Sequence, residues 1–466
     1  MKTKFFFFFV ILAVFFALYG CKTALLPEKP EEKYNQIDIK PQISTINMQF
    51  DMTVRSLEAL LNRQLTGVIY KDSILDNDNL LITAWKKENI KLGFENGIFT
   101  YRVPLKLYIK AGWKFERFGI SLSDYKEMNA EIALNFKTSI AINKDWSITT
   151  VTTSQGYEWL SKPVLKLGPI DIPITMIADL IVANNMETIN TSIDEGLQSS
   201  LDLRANAQEA WVMMQEPMLL DEEYQLWMRL SPKSVSAMPI TGGKGIIRQT
   251  SAIKAVAECF VGSKPSFSIN YTLPEISPLK NADDKFELNI VSYIPYDYLD
   301  SVTKAQLVGT SYTFGKRELK INSVALYGSG KNLIIETGVS GSLNGKLYFE
   351  GIPVYRESDS SIIFSDLQFN IKTKNLLVKA AGWIAGSGIE KVLVKKMYYP
   401  IGEELKSTYQ LISDNLKYFA LGEGFYLKGS LKQLDIGQIT LTKEAAVVPV
   451  VLQGNTVIGL EEYKGK

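Results

Sequence analysis

Long runs in which apolar and polar residues alternate constrain the fold of this chain more than any other feature of its sequence. In the first half, such runs cover residues 98–109, 130–138 and 146–153. Because successive side chains of a strand point to opposite faces, a period of two predicts strands with one buried face. Shorter runs within residues 322–372, separated by Gly and Asn turns, predict antiparallel hairpins in the second half as well.

Helical periodicity appears in matching places of the two halves. Residues 53–65, 173–201, 295–307 and 389–421 carry apolar residues mostly three or four positions apart, as one face of a helix requires. Pro400 is expected to kink or divide the last of these helices, because proline lacks the backbone N–H that a helix uses. The apolar stripes include Leu57 and Leu61, then Ile177, Ile181 and Ile189, and finally Leu393, Met397 and Leu405.

The order of these elements is the same twice along the chain. In both halves a strand is followed by a helix, several strands, a long helix and closing strands. This order predicts an α+β fold built from two similar halves, residues 42–262 and 263–466. The alternative is that a long α+β chain shows such an order by chance, since the residue identity between the halves is weak.

The first 21 residues have the pattern of a secretory signal. Lys2 and Lys4 precede an uncharged stretch over residues 5–18, shorter than the roughly 20 residues that a membrane-spanning helix needs. Residues 18–21, Leu-Tyr-Gly-Cys, resemble the lipobox of bacterial lipoproteins, although Tyr19 replaces the small residue usual there. We therefore expect residues 1–20 to be removed and Cys21 to be acylated. The alternative is an ordinary secretory signal with an incidental cysteine.

Residues 21–41 are expected to form the acylated cysteine and a polar tether. Pro27, Pro30 and Pro41 favour an extended chain in this segment. Several acyl chains hold a protein stably on a membrane, because each buried CH₂ group contributes about 0.8 kcal/mol. No aspartate directly follows Cys21, and the sequence therefore favours the outer membrane, with the protein facing the periplasm.

The composition excludes several classes of site. The chain has no histidine and only two cysteines, Cys21 and Cys259. It can therefore form neither a Ser-His-Asp triad, nor a His-ligated metal site, nor a disulfide framework. A net charge of +1 argues against nucleic-acid binding. Residues 242–245, Gly-Gly-Lys-Gly, do not complete a phosphate loop, because Met238 stands in place of its first glycine and Gly245 in place of its Ser or Thr. They predict a hairpin turn. No cofactor or metal is expected.

Catalysis by carboxylates alone stays open, because glycoside hydrolysis needs only two acids. No pair can be selected among the 50 acidic residues. Trp146, Tyr157 and Trp159 could stack on a sugar ring, although aromatic residues at strand ends more often pack in the core.

Two stretches of the sequence resemble one bacterial family. They are residues 145–172, with Asp-Trp-Ser-Ile, Gly-Tyr-Glu-Trp and Gly-Pro-Ile-Asp-Ile, and residues 209–232, with Glu-Ala-Trp, Gln-Glu-Pro and Trp-Met-Arg-Leu-Ser-Pro. The family is catalogued as domain of unknown function 4403, and the resemblance spans nearly the whole mature chain. No catalytic residues are assigned to this family, so none is carried over.

The family is remotely similar to the tubular lipid-binding superfamily, which includes the bactericidal permeability-increasing protein. That similarity implies that each half is a long helix wrapped by a curved antiparallel sheet, with an elongated apolar groove between them. Such a groove shields acyl chains from water at roughly 25 cal/mol per Å². The candidate groove residues are Leu57, Leu61, Phe99, Leu105, Phe136, Ile148, Ile177, Ile181, Ile189, Leu393, Met397 and Leu405.

The sequence thus favours a membrane-anchored periplasmic lipoprotein, without enzymatic activity, that binds or transfers an acyl-chain lipid. An open groove and a filled core require the same residue pattern, so a structural or scaffolding envelope lipoprotein is the first alternative. A carboxylate-dependent carbohydrate-active enzyme is the second. The identity of the lipid and of any protein partner is not encoded in a recognisable motif.

Overall fold

The structure, a computed structural model, describes residues 29–34, 39–73, 80–117, 120–167, 170–173, 175–200, 202–314, 316–342, 344–370, 398–422 and 425–460. Strands predominate over helices in this part of the chain and form three large sheets. We call them sheet N, sheet C and the central sheet. No helix among the described residues is long and apolar enough to cross a membrane.

Sheet N is antiparallel and belongs to the first part of the chain. It follows strand β1 (Ser44–Thr53) and helix α1 (Val54–Gln64), which begins where the Thr53 side chain accepts a hydrogen bond from the Ser56 amide. Its order is β2-β3-β5-β6-β7, with β4 on β5. The strands are β2 (Val68–Asp72), β3 (Leu80–Lys86), β4 (Lys91–Glu95), β5 (Ile98–Arg117), β6 (Ile120–Ile142) and β7 (Ile148–Ser161).

A small hairpin and two helices lead from sheet N to the central sheet. The hairpin consists of β8 (Val164–Leu167) and β9 (Ile170–Pro173). Helix α2 (Thr175–Ser200) packs against sheet N, and helix α3 (Leu203–Met213) packs against the central sheet.

Sheet C is also antiparallel and belongs to the second part. Strand β15 (Lys285–Pro295) and helix α4 (Tyr296–Leu307) precede it, and helix α5 (Gly402–Lys417) follows it. A short 3₁₀ helix, Glu357–Asp359, joins two of its strands. In sheet order the strands are β16 (Ser311–Phe314), β17 (Arg317–Ser329), β18 (Asn332–Gly341), β19 (Gly345–Arg356), β20 (Ser361–Asn370) and β21 (Tyr399–Pro400).

The central sheet takes strands from both parts of the chain. Its order is β10-β11-β13-β1-β15-β25-β23-β22, with β12 on β13, β14 on β11 and β24 on β25. Besides β1 and β15, its strands are β10 (Met218–Asp221), β11 (Leu226–Ala237), β12 (Thr241–Gly243), β13 (Ile246–Val261), β14 (Ile276–Pro278), β22 (Phe419–Gly422), β23 (Phe425–Ile436), β24 (Thr440–Leu441) and β25 (Ala445–Leu460).

The pairings of the central sheet are symmetric between the two parts. β1 runs antiparallel to β13 as β15 does to β25, and β13 pairs with β11 as β25 does with β23. Two parallel contacts then join the parts. Residues 49–51 of β1 lie beside residues 457–459 of β25, and residues 257–260 of β13 lie beside residues 290–293 of β15. Both parts of the chain therefore share one hydrogen-bonded sheet.

The tight turns follow from local sequence. Asn96 and Gly97 both have positive φ, of 51° and 79°, and join β4 to β5 as a two-residue hairpin loop. Lys244 and Gly245 join β12 to β13 in the same way, with φ of 53° and 81°. The hairpin predicted for residues 242–245 is thereby confirmed.

The predicted fold class is wrong. The described residues are mostly β, and they do not form two halves that each wrap a sheet around a long helix. α2 lies on one face of sheet N, and α5 packs on the central sheet through Ile412 and Leu416. The closing strands of the two parts pair within a shared sheet, which local periodicity does not reveal because pairing partners are distant in sequence.

Among the described residues, the long helix predicted for residues 389–421 covers only Gly402–Lys417. Residues 371–397 lie outside the described residues, Tyr399–Pro400 is a strand, and α5 begins at Gly402. Pro400 is the last residue of this strand and lies before the helix rather than inside it, as expected for a residue without a backbone N–H. The boundary expected at residues 262 and 263 stays a prediction.

A compact apolar cluster secures α3 to the central sheet. Trp211 is 2% exposed and packs with Val235 and Ile253. Its indole nitrogen donates to the Asn270 carbonyl at 2.8 Å, and the Gln215 amide binds the same residue through both its nitrogen and its oxygen. Burial and hydrogen bonding together make Trp211 the main contact of this helix.

Replacement of Trp211 should therefore be costly. We expect Trp211→Ala to lower the free energy of unfolding by about 3–5 kcal/mol, since it removes a buried aromatic side chain and leaves a cavity. Met213→Ala, in the same helix but 65% exposed, should change it by less than about 0.5 kcal/mol. Denaturant titration of both variants measures the difference, and equal losses would contradict this account of the cluster.

Candidate functional site

One face of sheet N is continuously apolar. It is built by β5 and β6, in which every second residue is apolar and the register brings these residues opposite one another. The paired residues are Val103–Leu134, Leu105–Ile132, Leu107–Ala130 and Ile109–Met128. All of these side chains are buried except Val103, which is partly buried. The face therefore offers an uninterrupted apolar strip along two neighbouring strands.

Helix α2 contributes a matching stripe. Val182, Met186, Ile189 and Ile193 pack against the apolar face of sheet N. Their spacing of four, three and four residues places them on one side of the helix. We call the contact between this stripe and the face of β5 and β6 the apolar layer.

A carboxylate fastens the helix to the sheet at one end of the layer. Asp194 accepts hydrogen bonds from the Thr152 amide at 3.0 Å and from the Thr152 hydroxyl at 2.7 Å. The hydroxyls of Thr152, Thr138 and Tyr101 continue this network at 2.7 and 2.8 Å. Burial raises the pKa of Asp194, but the hydrogen bonds from Thr152 and Thr150 outweigh it, and the net pKa lies below the usual value.

A second carboxylate does the same at the other end. Asp179 accepts hydrogen bonds from the Trp159 indole and the Tyr157 hydroxyl, both at 2.8 Å. These two bonds hold the pKa of Asp179 below its usual value, while burial and the bond to Asp179 raise the pKa of Tyr157. The 15 residues from Asp179 to Asp194 correspond to about 22 Å of helix, which is the length of α2 between its two fastenings.

One polar atom in this region lacks a partner. The Asn190 side-chain oxygen is buried and accepts no hydrogen bond from the described residues. Asn190 lies four residues after Met186 and three before Ile193, and therefore on the same side of α2. An unpaired buried acceptor costs about 1–3 kcal/mol, so a donor supplied by a ligand would be bound favourably here.

The structure brings together three of the predicted groove residues. Leu105, Phe136 and Ile189 belong to the cluster that includes the apolar layer. Leu57 and Phe99 pack instead in a separate cluster with Phe94 and Ile247.

Three of the remaining candidates lie outside this cluster. Leu61, Ile148 and Leu405 are partly buried elsewhere. Ile177 and Ile181 lie in α2, but their side chains are not described. Cys21, Leu393 and Met397 lie outside the described residues.

The aromatic residues considered for sugar stacking have other contacts. Trp159 and Tyr157 bind Asp179, and Trp146 donates to the Pro274 carbonyl at 2.7 Å. The described residues contain no group of three or more side chains that could hold a metal ion.

Two surface depressions lie away from the apolar layer. One, of about 380 Å³, is lined by Glu403, Lys406, Ser407, Gln410 and Leu411. The other, of about 460 Å³, is lined by Asn47, Met238, Asn281, Ala282 and Asp283. Both are open surface depressions rather than enclosed cavities, so neither shields an acyl chain from water. A chain bound at the apolar layer would have to separate α2 from sheet N.

Comparison with known proteins identifies the family. The profile of the family described as Domain of unknown function (DUF4403) matches residues 42–459. The chain belongs to this family. The resemblance expected from residues 145–172 and 209–232 is thereby confirmed. No curated protein matches the chain.

Two solved structures share a weak similarity with this DUF4403 protein. A lipopolysaccharide binding protein is 10% identical with a TM-score of 0.27, over 91% of this chain and 100% of that one. P47 of Clostridium botulinum E1 is 9% identical with a TM-score of 0.19, over 89% and 98%. Similarity at this level establishes neither the fold nor a ligand of this family member.

The sequence alone does not single out the two aspartates of α2 as functional residues. Asp179 and Asp194 interrupt the apolar stripe of α2, and a charged residue inside such a stripe is the signal that could have revealed them. Their partners on β7 are 20 to 44 residues away in sequence, so no local pattern connects them.

Loss of the Asp194 carboxylate should weaken the protein in a pH-dependent way. Because its folded pKa is depressed, its contribution is present above the unfolded pKa of about 3.9 and disappears as the pH falls through the folded value. We expect Asp194→Asn to lower the free energy of unfolding by about 1.5–3 kcal/mol at neutral pH, the range for hydrogen bonds to charged groups. The difference from the parent should shrink below about pH 4.

Glu195→Gln is the matched control, since Glu195 is the exposed neighbour of Asp194. Denaturation at a series of pH values measures both variants. A loss for Asp194→Asn that persists unchanged in acid would show that the carboxylate charge is not the cause.

Proposed function

We propose that this DUF4403 protein is a lipoprotein of the cell envelope, anchored through acylated Cys21, that binds an acyl chain between α2 and sheet N. The observation that carries the ligand proposal is the apolar layer, which lies between Asp179 and Asp194 along about 22 Å of α2. A strip of this shape suits an extended hydrocarbon chain better than a compact ligand.

Energetics favour such a ligand. A chain of about 14 methylene groups gains roughly 11 kcal/mol on leaving water, at about 0.8 kcal/mol per CH₂. This gain must exceed the cost of separating Val182, Met186, Ile189 and Ile193 from the sheet. The chain replaces those contacts with equally apolar ones, so the layer stays dry while α2 moves outward.

The polar end of the ligand is also constrained. The unpaired oxygen of Asn190 lies within the side of α2 that faces the layer. It requires a donor, and an acyl chain with a hydroxyl or amide group supplies one. Plain hydrocarbon leaves this acceptor unsatisfied. We therefore favour an amide-linked or hydroxylated acyl chain over a simple alkane.

The location of the protein is supported by the sequence of residues 1–21. Two lysines, an uncharged stretch and a lipobox-like ending stand in the order of a lipoprotein signal. With no aspartate directly after Cys21, we place the protein on the outer membrane, facing the periplasm. The proposed role is binding or transfer of the lipid and involves no catalysis.

A scaffolding lipoprotein is the second candidate. It is favoured by the close packing of α2 on sheet N and by the open shape of the two depressions. The two functions differ in one measurable respect, because a scaffold leaves the apolar layer closed under all conditions.

Filling the layer with a larger side chain should block the ligand. We expect Ile189→Trp to weaken binding of a fluorescent fatty-acyl amide to the delipidated protein by about tenfold or more, equivalent to about 1.4 kcal/mol. Thr191→Trp adds the same indole to an exposed position of the same helix and should leave binding unchanged. Equal affinities for the two variants, or no binding by the parent, would favour the scaffold.

Removal of the acylation site should detach the protein from membranes. Cys21→Ser lacks the thiol that receives the lipid, and the variant should move from the membrane fraction to the soluble fraction. Detergent partitioning of the parent and the variant measures this change, and an unchanged distribution would contradict the proposed anchor.

A further inference from the structure

The segment before β1 is bound to the body of the protein. Residues 29–34, which we call the strap, lie against the turn between β17 and β18. The Gly330 amide donates to the Lys33 carbonyl at 2.6 Å, and the Ser329 hydroxyl donates to the Glu31 carbonyl at 2.7 Å. The Lys29 ammonium lies 4.6 Å from the centre of the Tyr327 ring. These residues of the tether are therefore fixed at one corner of the body, beside Ser329 and Gly330, which we call the strap corner.

The position of the strap limits where an anchor can lie. Eight residues separate Cys21 from Lys29, and a fully extended chain of eight residues spans at most about 28 Å. The strap also lies close to the end of β15. Gly328, next to the strap contact Ser329, lies against the hydroxyl of Tyr296, the first residue after β15. This hydroxyl donates to the Thr442 carbonyl at 2.9 Å. An acylated Cys21 must therefore hold this corner near the bilayer.

An exposed apolar edge lies close to the same corner. Met218, Leu219 and Leu220 of β10 and Tyr224 of the following turn are between 39% and 47% exposed. We call these four residues the edge patch. β10 ends the central sheet, and no strand of the described residues covers its outer side. Three consecutive apolar residues on an uncovered edge strand are unusual for a protein surface and indicate a contact.

The strand register gives the distance from the edge patch to the strap corner. Met218 pairs with Met228, Met228 with Cys259, and Cys259 with Ser292. Three strand spacings of about 4.8 Å and the four residues from Ser292 to Tyr296 give a separation of roughly 20 Å. The edge patch is thus within the reach of the anchor.

The other end of the central sheet is not within that reach. The outer strand at that end is β22, and its residue Phe419 is 54% exposed. Strand β25 connects the two ends of the sheet. Its residue Ala446 pairs with Ile294 of β15, at the strap corner. Its residue Gly459 pairs with Tyr426 of β23, which in turn pairs with Ala420 of β22. The thirteen residues from Ala446 to Gly459 cover about 43 Å. Phe419 therefore offers a matched apolar position far from the anchor.

We propose that the edge patch rests on the lipid bilayer that holds Cys21, so that the protein stands on the membrane with the strap corner down and β22 away from it. This orientation depends on the acylation of Cys21 in the proposed function. Asp221, Glu222 and Glu223 lie between Leu220 and Tyr224, so the contact depends on the apolar side chains of the patch rather than on attraction to anionic lipids. It should persist in neutral phosphatidylcholine and at high salt.

Depth-dependent quenching of a fluorophore tests the orientation. Leu219→Cys and Phe419→Cys are each combined with Cys259→Ala, labelled with an environment-sensitive dye and bound as the full acylated chain to phosphatidylcholine vesicles containing nitroxide lipids. Labelling is selective even without that change, because Cys259 is 6% exposed and burial raises its pKa to about 12. Leu220→Cys provides a second position in the patch.

The expected result is that labels at 219 and 220 are quenched several-fold more than the label at 419, with no change at high salt. Equal quenching at both ends would show that the protein lies flat, and absence of quenching at 219 and 220 in vesicle-bound protein would overturn the contact alone. Dye self-quenching at 219 that grows with protein concentration would assign the patch to a second copy. Failure of the acylated chain to float with vesicles would remove the anchor and the orientation together.

Discussion

The parallel pairing of β1 with β25 and of β13 with β15 is the constraint on which the rest of the structure depends. These contacts join strands that are up to about 410 residues apart and merge both parts of the chain into the central sheet. Loop-closure entropy opposes contacts over such distances, so they are stable only because the antiparallel partners on either side add further hydrogen bonds and burial. Sheet N, sheet C and the edge strands are positioned by this junction.

The junction also separates the proposed lipid site from the proposed membrane contact. The apolar layer belongs to sheet N and α2, whereas the edge patch and the strap lie at the central sheet and sheet C. Two kinds of apolar surface therefore have different roles. The layer is covered by a helix that two carboxylates fasten, and the edge patch is exposed beside a short tether to the anchor.

The sequence predicts local structure well and long-range pairing poorly. Alternation over residues 98–109 and 130–138 correctly indicates β5 and β6, and the stripe through Ile189 indicates α2. The prediction of two halves, each a helix wrapped by a sheet, is wrong because alternation shows which face of a strand is buried but not which strands it pairs with. Two sets of contacts join segments that are too distant in sequence for any local signal. One is the hydrogen bonds of Asp179 and Asp194 to β7. The other is the binding of Glu31 and Lys33 to Ser329 and Gly330.

Photo-cross-linking is the most direct test of acyl-chain binding at the apolar layer. A fatty-acyl amide with a diazirine in its chain is bound to the delipidated protein, irradiated and located by peptide mass spectrometry. The proposed site predicts cross-links on β5 and β6 near Leu105 and Ile132 and on α2 near Ile189, where these residues form the layer. Cross-links confined to the edge patch, or none above the background of a denatured sample, would contradict it.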